Sequence, residues 1–389
     1  MKAKYYIKAM FFYLFRVFPI SKNKVVIKNW GGKGFGDNGK YIALELLKQS
    51  NKQYDIVWLI DNIKEHKEIP NEIRKIEYSS IRAIYEQVTA KIWISNTRQA
   101  EYVKKRSKQY YIMTWHGGIY SKKIEKSVEK QLPKSYVRAA KHDSSMADLF
   151  LAESDFTYQQ YRNVFWYDGE ILKCGSPRQD ILFRDNKELK EKLLQSLGIT
   201  NNCRIFFYAP TFRNGMTEND LAIYKRQWSN ILKALNKKTK EKWIGFIRLH
   251  PNISNLDPHH QLIEKNVYDV TDYPDMQELL AISDMVLTDY SSCVYDFGLT
   301  GRPGFVLIDD IESYKKERGL IPGFMDAIPF PMVTSDFDLI RTIETFNEEE
   351  YRKKLHVFYY QYCGLYPGGN AAKHVAHIIE NLMNNKSQN

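Results

Sequence analysis

At 389 residues the chain is long enough for two or three domains with substantial cores, at roughly 150 residues per domain. Its hydrophobic and charged fractions, 43% and 26%, are those of an ordinary globular protein and exclude a fibrous or low-complexity chain. The formal net charge of +11 is spread along the whole sequence, so it describes a basic body suited to anionic partners: phosphates, nucleic acid or anionic lipid.

The first element is a helix over residues 1–22. Tyr5 to Phe18 is rich in aromatics, yet too short and interrupted to span a bilayer, and no small-residue cleavage site follows it. Lys4, Lys8 and Arg16 fall at multiples of four and form one basic stripe, while Tyr6, Met10, Phe11, Phe15 and Phe18 cover much of the rest. This amphipathic pattern suits a helix lying in a membrane interface with its cations reaching the headgroups. It equally suits a helix packed on the protein's own core. Strand-like and helix-like runs then alternate, as in parallel α/β layers. Val25–Asn29, Asp55–Ile60, Lys91–Ser95 and Tyr110–Thr114 read as strands, with a helix near Lys40–Lys48. After a polar stretch, Ser121–Ser135, a turn at Gly175–Asp180 closes this half. The second half opens with a charged helix, Glu188–Leu197. Strands are predicted at Arg204–Tyr208, Trp243–Leu249, Val267–Val270, Asp284–Thr288 and, as the last clear one, Phe305–Ile308. Helices are predicted at Met276–Ile282, from about Val294, and beyond Gly369. The expected architecture is α/β, with two Rossmann-like domains facing a cleft: 23–183, then 184–389, whose terminal helix is free to cross back. Cys174, Cys203, Cys293 and Cys363 have no metal-ligand spacing, which points to buried thiols and a reducing, cytoplasmic setting.

The chemistry gathers at strand ends, where open α/β sheets bind ligands. Ser291 and Ser292 follow a strand and open a helix, so their hydroxyls and free amides suit a diphosphate, although simple N-capping fits too. Asp296, one turn on, can accept from ribose hydroxyls. Arg248, His250 and Arg213 end neighbouring strands and can donate to phosphate oxygens as charge grows on a leaving group. Thr271 and Asp272 end a further strand of the same edge. In the first half His116, followed by Gly117 and Gly118, leaves room for a ligand to approach and is the candidate general base. Gly34-Phe35-Gly36-Asp37-Asn38-Gly39 matches G-x-G-x-x-G, with Asp61 ending the next strand, which by pattern alone reads as a dinucleotide site. That reading leaves the strand-end residues of the second half without a task. A glycine loop also serves a transferase whose acceptor must approach the backbone.

Five motifs in order, Trp115-His116-Gly117, Gly175-x-Pro177-Arg178-x-Asp180, Tyr208-Ala209-Pro210-Thr211-x-Arg213, Arg248-x-His250-Pro251 and Thr288-Asp289-Tyr290-Ser291-Ser292, resemble the CDP-glycerol glycerophosphotransferase family of teichoic acid and capsule synthesis. The resemblance runs from about residue 23 to the C-terminus, with Gly36-Asp37-Asn38 fitting the family's early loop. One departure is that His116 is followed by Gly117-Gly118-Ile119 where the family often has Gly-Thr-Pro. The resemblance implies a GT-B-like fold with the nucleotide held mainly by the C-terminal half. It implies that His116 and His250 are essential and that Arg213, Thr271, Ser291, Ser292 and Asp296 contact CDP. Gly34, Gly36, Asp37, Asn38, Gly117, Gly118 and Arg178 then face the acceptor. The expected reaction moves a polyol phosphate from CDP-glycerol or CDP-ribitol to an undecaprenyl-linked saccharide or a growing chain. No metal and no further cofactor are expected, because no acidic pair or His/Cys cluster demands one, and nucleic acid is not an expected partner. The implied location is the cytoplasmic face of the membrane, as a peripheral protein on an anionic surface. The sequence carries no signal for oligomeric state. A GT-B glycosyltransferase using a nucleotide sugar is the alternative enzyme, and a non-catalytic membrane-associated binder of anionic polymer the alternative of another class.

Overall fold

The structure is a computed structural model that describes residues 2–49, 54–199, 202–213, 216–250, 253, 255–257 and 262–384, leaving aside the side chains of residues 2–4, 219 and 318. The chain forms two compact units: Met1–Gly118, Ile124–Asp180 and Gly364–Asn389 in the first, Ile119–Lys123 and Ile181–Cys363 in the second.

The first unit holds a seven-stranded sheet. In chain order its strands are β1 (Ser21–Lys28), β2 (Asp55–Ile60), β3 (Arg74–Glu77), β4 (Ala90–Ser95), β5 (Tyr110–Met113), β6 (Leu149–Ala152) and β7 (Glu170–Lys173). Their spatial order is β3-β2-β1-β4-β5-β6-β7, every pair parallel. Such a sheet must be covered on both faces, and its central strands are apolar on both. Val25 and Ile27 of β1 pack with Ile56, Trp58 and Ile92 on one side. Val26 joins Val57, Leu59, Trp93 and Tyr111 on the other. Each such side chain contributes about 1.5–3 kcal/mol by leaving water. The strands β3, β6 and β7 escape the sequence reading; β3 (Arg74-Lys75-Ile76-Glu77) and β7 (Glu170-Ile171-Leu172-Lys173) hold only one or two apolar residues beside charges and so present no apolar run.

The second unit holds β8 (Arg204–Ala209), β9 (Trp243–Ile247), β10 (Val267–Asp269), β11 (Met285–Thr288), β12 (Gly304–Leu307) and β13 (Met332–Val333). Their order is β10-β9-β8-β11-β12-β13, again all parallel, which is the Rossmann order. The two-residue β13 follows what the sequence presents as the last strand, Phe305–Ile308. Strand β9 stops at Ile247, not Leu249, so Arg248 and His250 stand on a loop.

The C-terminal helix, Ala371–Asn384, packs with the first unit against helix α2 (Asp37–Lys48), and its Val375, Ala376 and Ile379 enter the core there. Its start is fixed by Asp180, whose two carboxylate oxygens accept from the amides of Ala371 (3.0 Å) and Ala372 (2.8 Å). The last residue of the Gly175-x-Pro177-Arg178-x-Asp180 motif is therefore a helix cap. All four cysteines are buried thiols that form no disulfide among the described residues.

The N-terminal helix, Lys2–Leu14, corrects one expectation. The row that carries Lys8 and Arg16 also carries Phe12, and Phe12 is 1% exposed in the core. This face is turned to the protein: Arg16 donates to the carbonyl of Lys104 (3.2 Å) and Lys8 lies over the Tyr102 ring. The side chain of Lys4 lies outside the described residues. What faces outward is instead apolar and aromatic: Tyr6, Ile7, Met10, Tyr13 and Leu14, with Val17 just beyond at 82% exposure. No described helix is long and apolar enough to cross a membrane.

Candidate functional site

In a doubly wound sheet, loops diverge where the strand order reverses, and the carboxyl ends of the strands there form a ligand site. In the first unit the reversal falls between β1 and β4. The loop after β1 turns through Trp30, Gly31, Gly32 and Gly34, all with positive φ (+45°, +67°, +101° and +69°). Asn96, just past β4, ties the loops together. Its Nδ2 donates to Asn29 (2.7 Å) and to Asp37 (3.0 Å), and its Oδ1 accepts from the amide of Trp30 (2.8 Å). Its carbonyl takes the Nδ1 proton of His116, at 2.8 Å. That bond places the histidine proton on Nδ1 and leaves the Nε2 lone pair to act as a base. Burial holds the pKa of His116 below the ordinary histidine value, against the opposing pull of the Asn96 carbonyl and Asp37. A neutral imidazole at pH 7 follows. Its ring centre lies 4.2 Å from that of Trp115 and 4.5 Å from that of Trp30.

The remaining residues expected on this side divide. Asp37, at φ +54°, is bonded by Asn96 and the Asn38 amide, with Arg178 Nη1 3.5 Å away. It stands in the field of His116. Asn38 is a structural clamp. Buried at 1% exposure, it donates to the carbonyls of Trp115 (3.1 Å) and Thr114 (3.5 Å) and accepts from Ser176 (2.9 Å) and the Arg178 amide (3.0 Å). Its hydrogen-bonding capacity is used within the fold, so the structure corrects its place on the acceptor side. Gly36 opens α2 in extended backbone. At Gly39 a Cβ would meet Ile27 at 2.8 Å and Trp58 at 3.2 Å, so this last glycine of the G-x-G-x-x-G run serves helix–strand packing. Gly118 has a similar reason, because a Cβ there would strike the buried carboxylate of Glu153. Gly117 is half-buried beside His116. Asn96, Trp30 and Glu153 are absent from the sequence reading. The strand-end rule, applied to Ser95-Asn96 after β4, would have found Asn96.

In the second unit the reversal falls between β8 and β11. Asp289 accepts from the Thr211 amide and hydroxyl, from the Tyr290 amide and from Arg213 Nη1 (2.9 Å). Arg213 also donates from Nε to Asp310 (2.7 Å), and Tyr290 donates to the same carboxylate (2.9 Å). Burial opposes the Arg213 charge, but Asp310 and Asp289 more than offset it. The guanidinium expected on CDP is thus already neutralised, and it joins the loops after β8, β11 and β12. Thr271 likewise holds a loop, its hydroxyl accepting from the Leu249 amide (2.9 Å). Asp272 is exposed. Asp296 is buried at 3% and accepts from Gln277 (2.9 Å), so it lies within the packing of its helix.

Three residues keep open chemistry. Ser292 begins the helix Cys293–Gly298, yet its hydroxyl makes no capping bond. The Ser291 hydroxyl accepts a long bond, 3.4 Å, from the Cys293 amide and also meets the Cys293 thiol. Arg248 has no carboxylate within ion-pair distance among the described residues; its Nη1 lies 3.9 Å from the sulfur of Met276. Burial lowers its pKa from the usual arginine value, although Asp275 pulls the other way. A desolvated guanidinium without a counter-ion is an anion site in waiting. His250 is exposed, with its ring stacked on Phe212 at 5.8 Å. Pro251 lies outside the described residues. Among the described residues no group of His, Cys, Asp and Glu is placed to hold a metal ion.

Known proteins share this architecture. The solved structure of the wall teichoic acid polymerase TagF, in a histidine-to-asparagine variant soaked with CDPG, superposes with a TM-score of 0.82 at 26% identity, covering 97% of this chain and 94% of that one. The poly(glycerol phosphate) polymerase of Staphylococcus epidermidis is 28% identical over 92% of this chain, which spans about half (51%) of that relative's length. That of Bacillus spizizenii is 27% identical over 97% of this chain and 96% of its own. The sequence pattern of the CDP-glycerol:poly(glycerophosphate) glycerophosphotransferases matches residues 9–381. With two Rossmann-like domains of the GT-B type and these strand-end residues, the chain belongs to the CDP-glycerol:poly(glycerophosphate) glycerophosphotransferase family.

Proposed function

We propose that this protein transfers glycerol phosphate, or a related polyol phosphate, from its CDP ester to a hydroxyl of a lipid-linked saccharide or growing polyol-phosphate chain, releasing CMP. The observation that carries the reading is the His116 imidazole, neutral and with Nδ1 committed to Asn96, which leaves Nε2 as a base. The acceptor hydroxyl gives its proton to Nε2 and attacks the β-phosphorus. Arg248, with the Ser291 and Ser292 hydroxyls, meets the charge on the transferred and leaving phosphates. Arg213 is assigned to holding the loops, because its charge is matched within the protein. Counter-charge from arginine fits a reaction that needs no divalent ion, so turnover is expected to persist in EDTA. The assay is CMP release from CDP-glycerol and CDP-ribitol, with UDP-sugars alongside and a lipid-linked saccharide as acceptor. No CMP from any CDP-polyol, or UDP from a sugar donor, overturns the proposal, the second outcome in favour of a glycosyltransferase.

We further propose that the protein works as a peripheral protein on an anionic membrane surface, through the outward face of the N-terminal helix. Six exposed apolar or aromatic side chains lie there, and the segment is bonded to the basic run Lys104-Lys105-Arg106-x-Lys108, in which Lys105 is paired with Asp148. Two bonds tie that run to the helical segment, Arg16 to the Lys104 carbonyl and Arg106 to the Phe18 carbonyl. Apolar insertion beside cations is the chemistry of interfacial binding.

A further inference from the structure

Two tryptophans with left-handed backbone, Trp30 at φ +45° and Trp115 at φ +53°, place their rings against the same imidazole. A bulky residue rarely adopts this conformation, and strain of this kind persists where the surroundings enforce it. Here the enforcing bonds are visible. The Trp30 amide is held by Asn96 Oδ1 (2.8 Å), and the Trp115 carbonyl by Asn38 Nδ2 (3.1 Å). Trp115 is buried in the core and ring-stacks edge-on with Phe165. Trp30 is different: 45% of it is exposed, so neither packing nor burial explains why a strained loop presents it there.

We propose that Trp30 is a positioning residue for the transfer, its indole together with that of Trp115 fixing the His116 ring and stabilising the imidazolium that forms during the reaction. The inference rests on His116 being the base of the proposed reaction. In that step the acceptor O–H bond breaks and its proton moves to Nε2. The oxygen forms a bond to the β-phosphorus, and the bond from that phosphorus to the CMP oxygen breaks with its electron pair. The imidazolium then returns its proton to solvent. A cation against an indole face is attracted by the ring's quadrupole, most strongly away from water. The other charges around the ring are mixed. Asp37 and Glu125 favour the cation and Arg178 opposes it. Arg98, paired with Glu125 and Asp143, lies over the Trp115 ring at 5.3 Å. Trp115 therefore carries Arg98 over its ring besides the stacked His116, whereas among the described residues no cation lies over Trp30.

The test compares Trp30→Phe with Trp30→Leu, since both keep an apolar side chain and only the first keeps a π face. The His116 titration is read by NMR on protein with carbon-labelled histidine, using His116→Gln to assign the signal. The expected result is a midpoint in W30F close to the parent and one in W30L lower by about half a pH unit, the size of an ordinary cation–π contact. The acid limb of kcat/KM for CMP release moves down by the same amount in W30L. Equal midpoints in all three proteins, or a higher one in W30L from hydration of the ring, overturn the proposal. A lowered midpoint in W30L from a protein that turns over no CDP-polyol supports the aromatic site and overturns only the assigned reaction.

Discussion

His116 makes one bond to a carbonyl and lies against two indoles, and its proposed use as a base depends on staying neutral. His116→Ala is expected to lower kcat by 10²–10⁴-fold, roughly the contribution of a positioned general base, with an unchanged circular dichroism spectrum. Because burial depresses its pKa, activity should persist below the ordinary histidine value near 6.5 and fall as pH drops through the lowered one. Stability has the same sign. The unfolded state binds the proton more readily, so this contribution is complete above the unfolded value and is lost as pH falls toward the folded one. A urea midpoint that rises on acidification across that window contradicts the assignment. At Arg248, removal of a guanidinium that has no carboxylate within ion-pair distance among the described residues is expected to cost the fold little and the donor much. Arg248→Ala is expected to raise KM for CDP-glycerol or lower kcat at least tenfold, about 1.4 kcal/mol or more, without loss of Tm.

At the level of elements, the family motifs divide into those whose side chains are proposed to do chemistry and those that hold the loops. Asp180 caps the C-terminal helix through two amides, and Asn38 joins the start of α2 to the Trp115 carbonyl and the Ser176–Arg178 turn. Asp180→Ala leaves buried amides unpaired and should destabilise the first unit by about 1–3 kcal/mol, read as a shift in the denaturant midpoint. An unaltered midpoint is the contrary result. Gly118→Ala should be worse tolerated than a typical loop substitution, because its Cβ would overlap the Glu153 carboxylate.

For the whole molecule, two parallel sheets with a reversal of strand order each present one cluster of candidate side chains. The proposed attachment to an anionic surface rests on the basic excess and the outward face of the N-terminal helix. Replacing Tyr6, Met10 and Tyr13 together by serine should abolish sedimentation with vesicles containing phosphatidylglycerol while leaving the fold intact, since these side chains face outward. Binding that survives this change but disappears in high salt would assign the attachment to charge alone.

Much of this was legible in the sequence. The five motifs identify the family because they are fixed in order, and the longer strands, Asp55–Ile60 among them, declare themselves by composition. Strands β3 and β7 did not, since charged residues interrupt them and leave no apolar run. Nor did the sequence separate a phosphate-binding arginine from a structural one. Arg213 and Arg248 both follow strands, and only the partners brought by distant loops, Asp289 and Asp310, distinguish them. The N-terminal helix makes the same point: its periodicity declares an amphipathic helix, but which row meets the core was decided by where Phe12 packs. Sequence by itself determined the elements and the chemistry available at their ends. Tertiary structure decided which of those groups are already satisfied, because burial and pairing are set by residues far away along the chain.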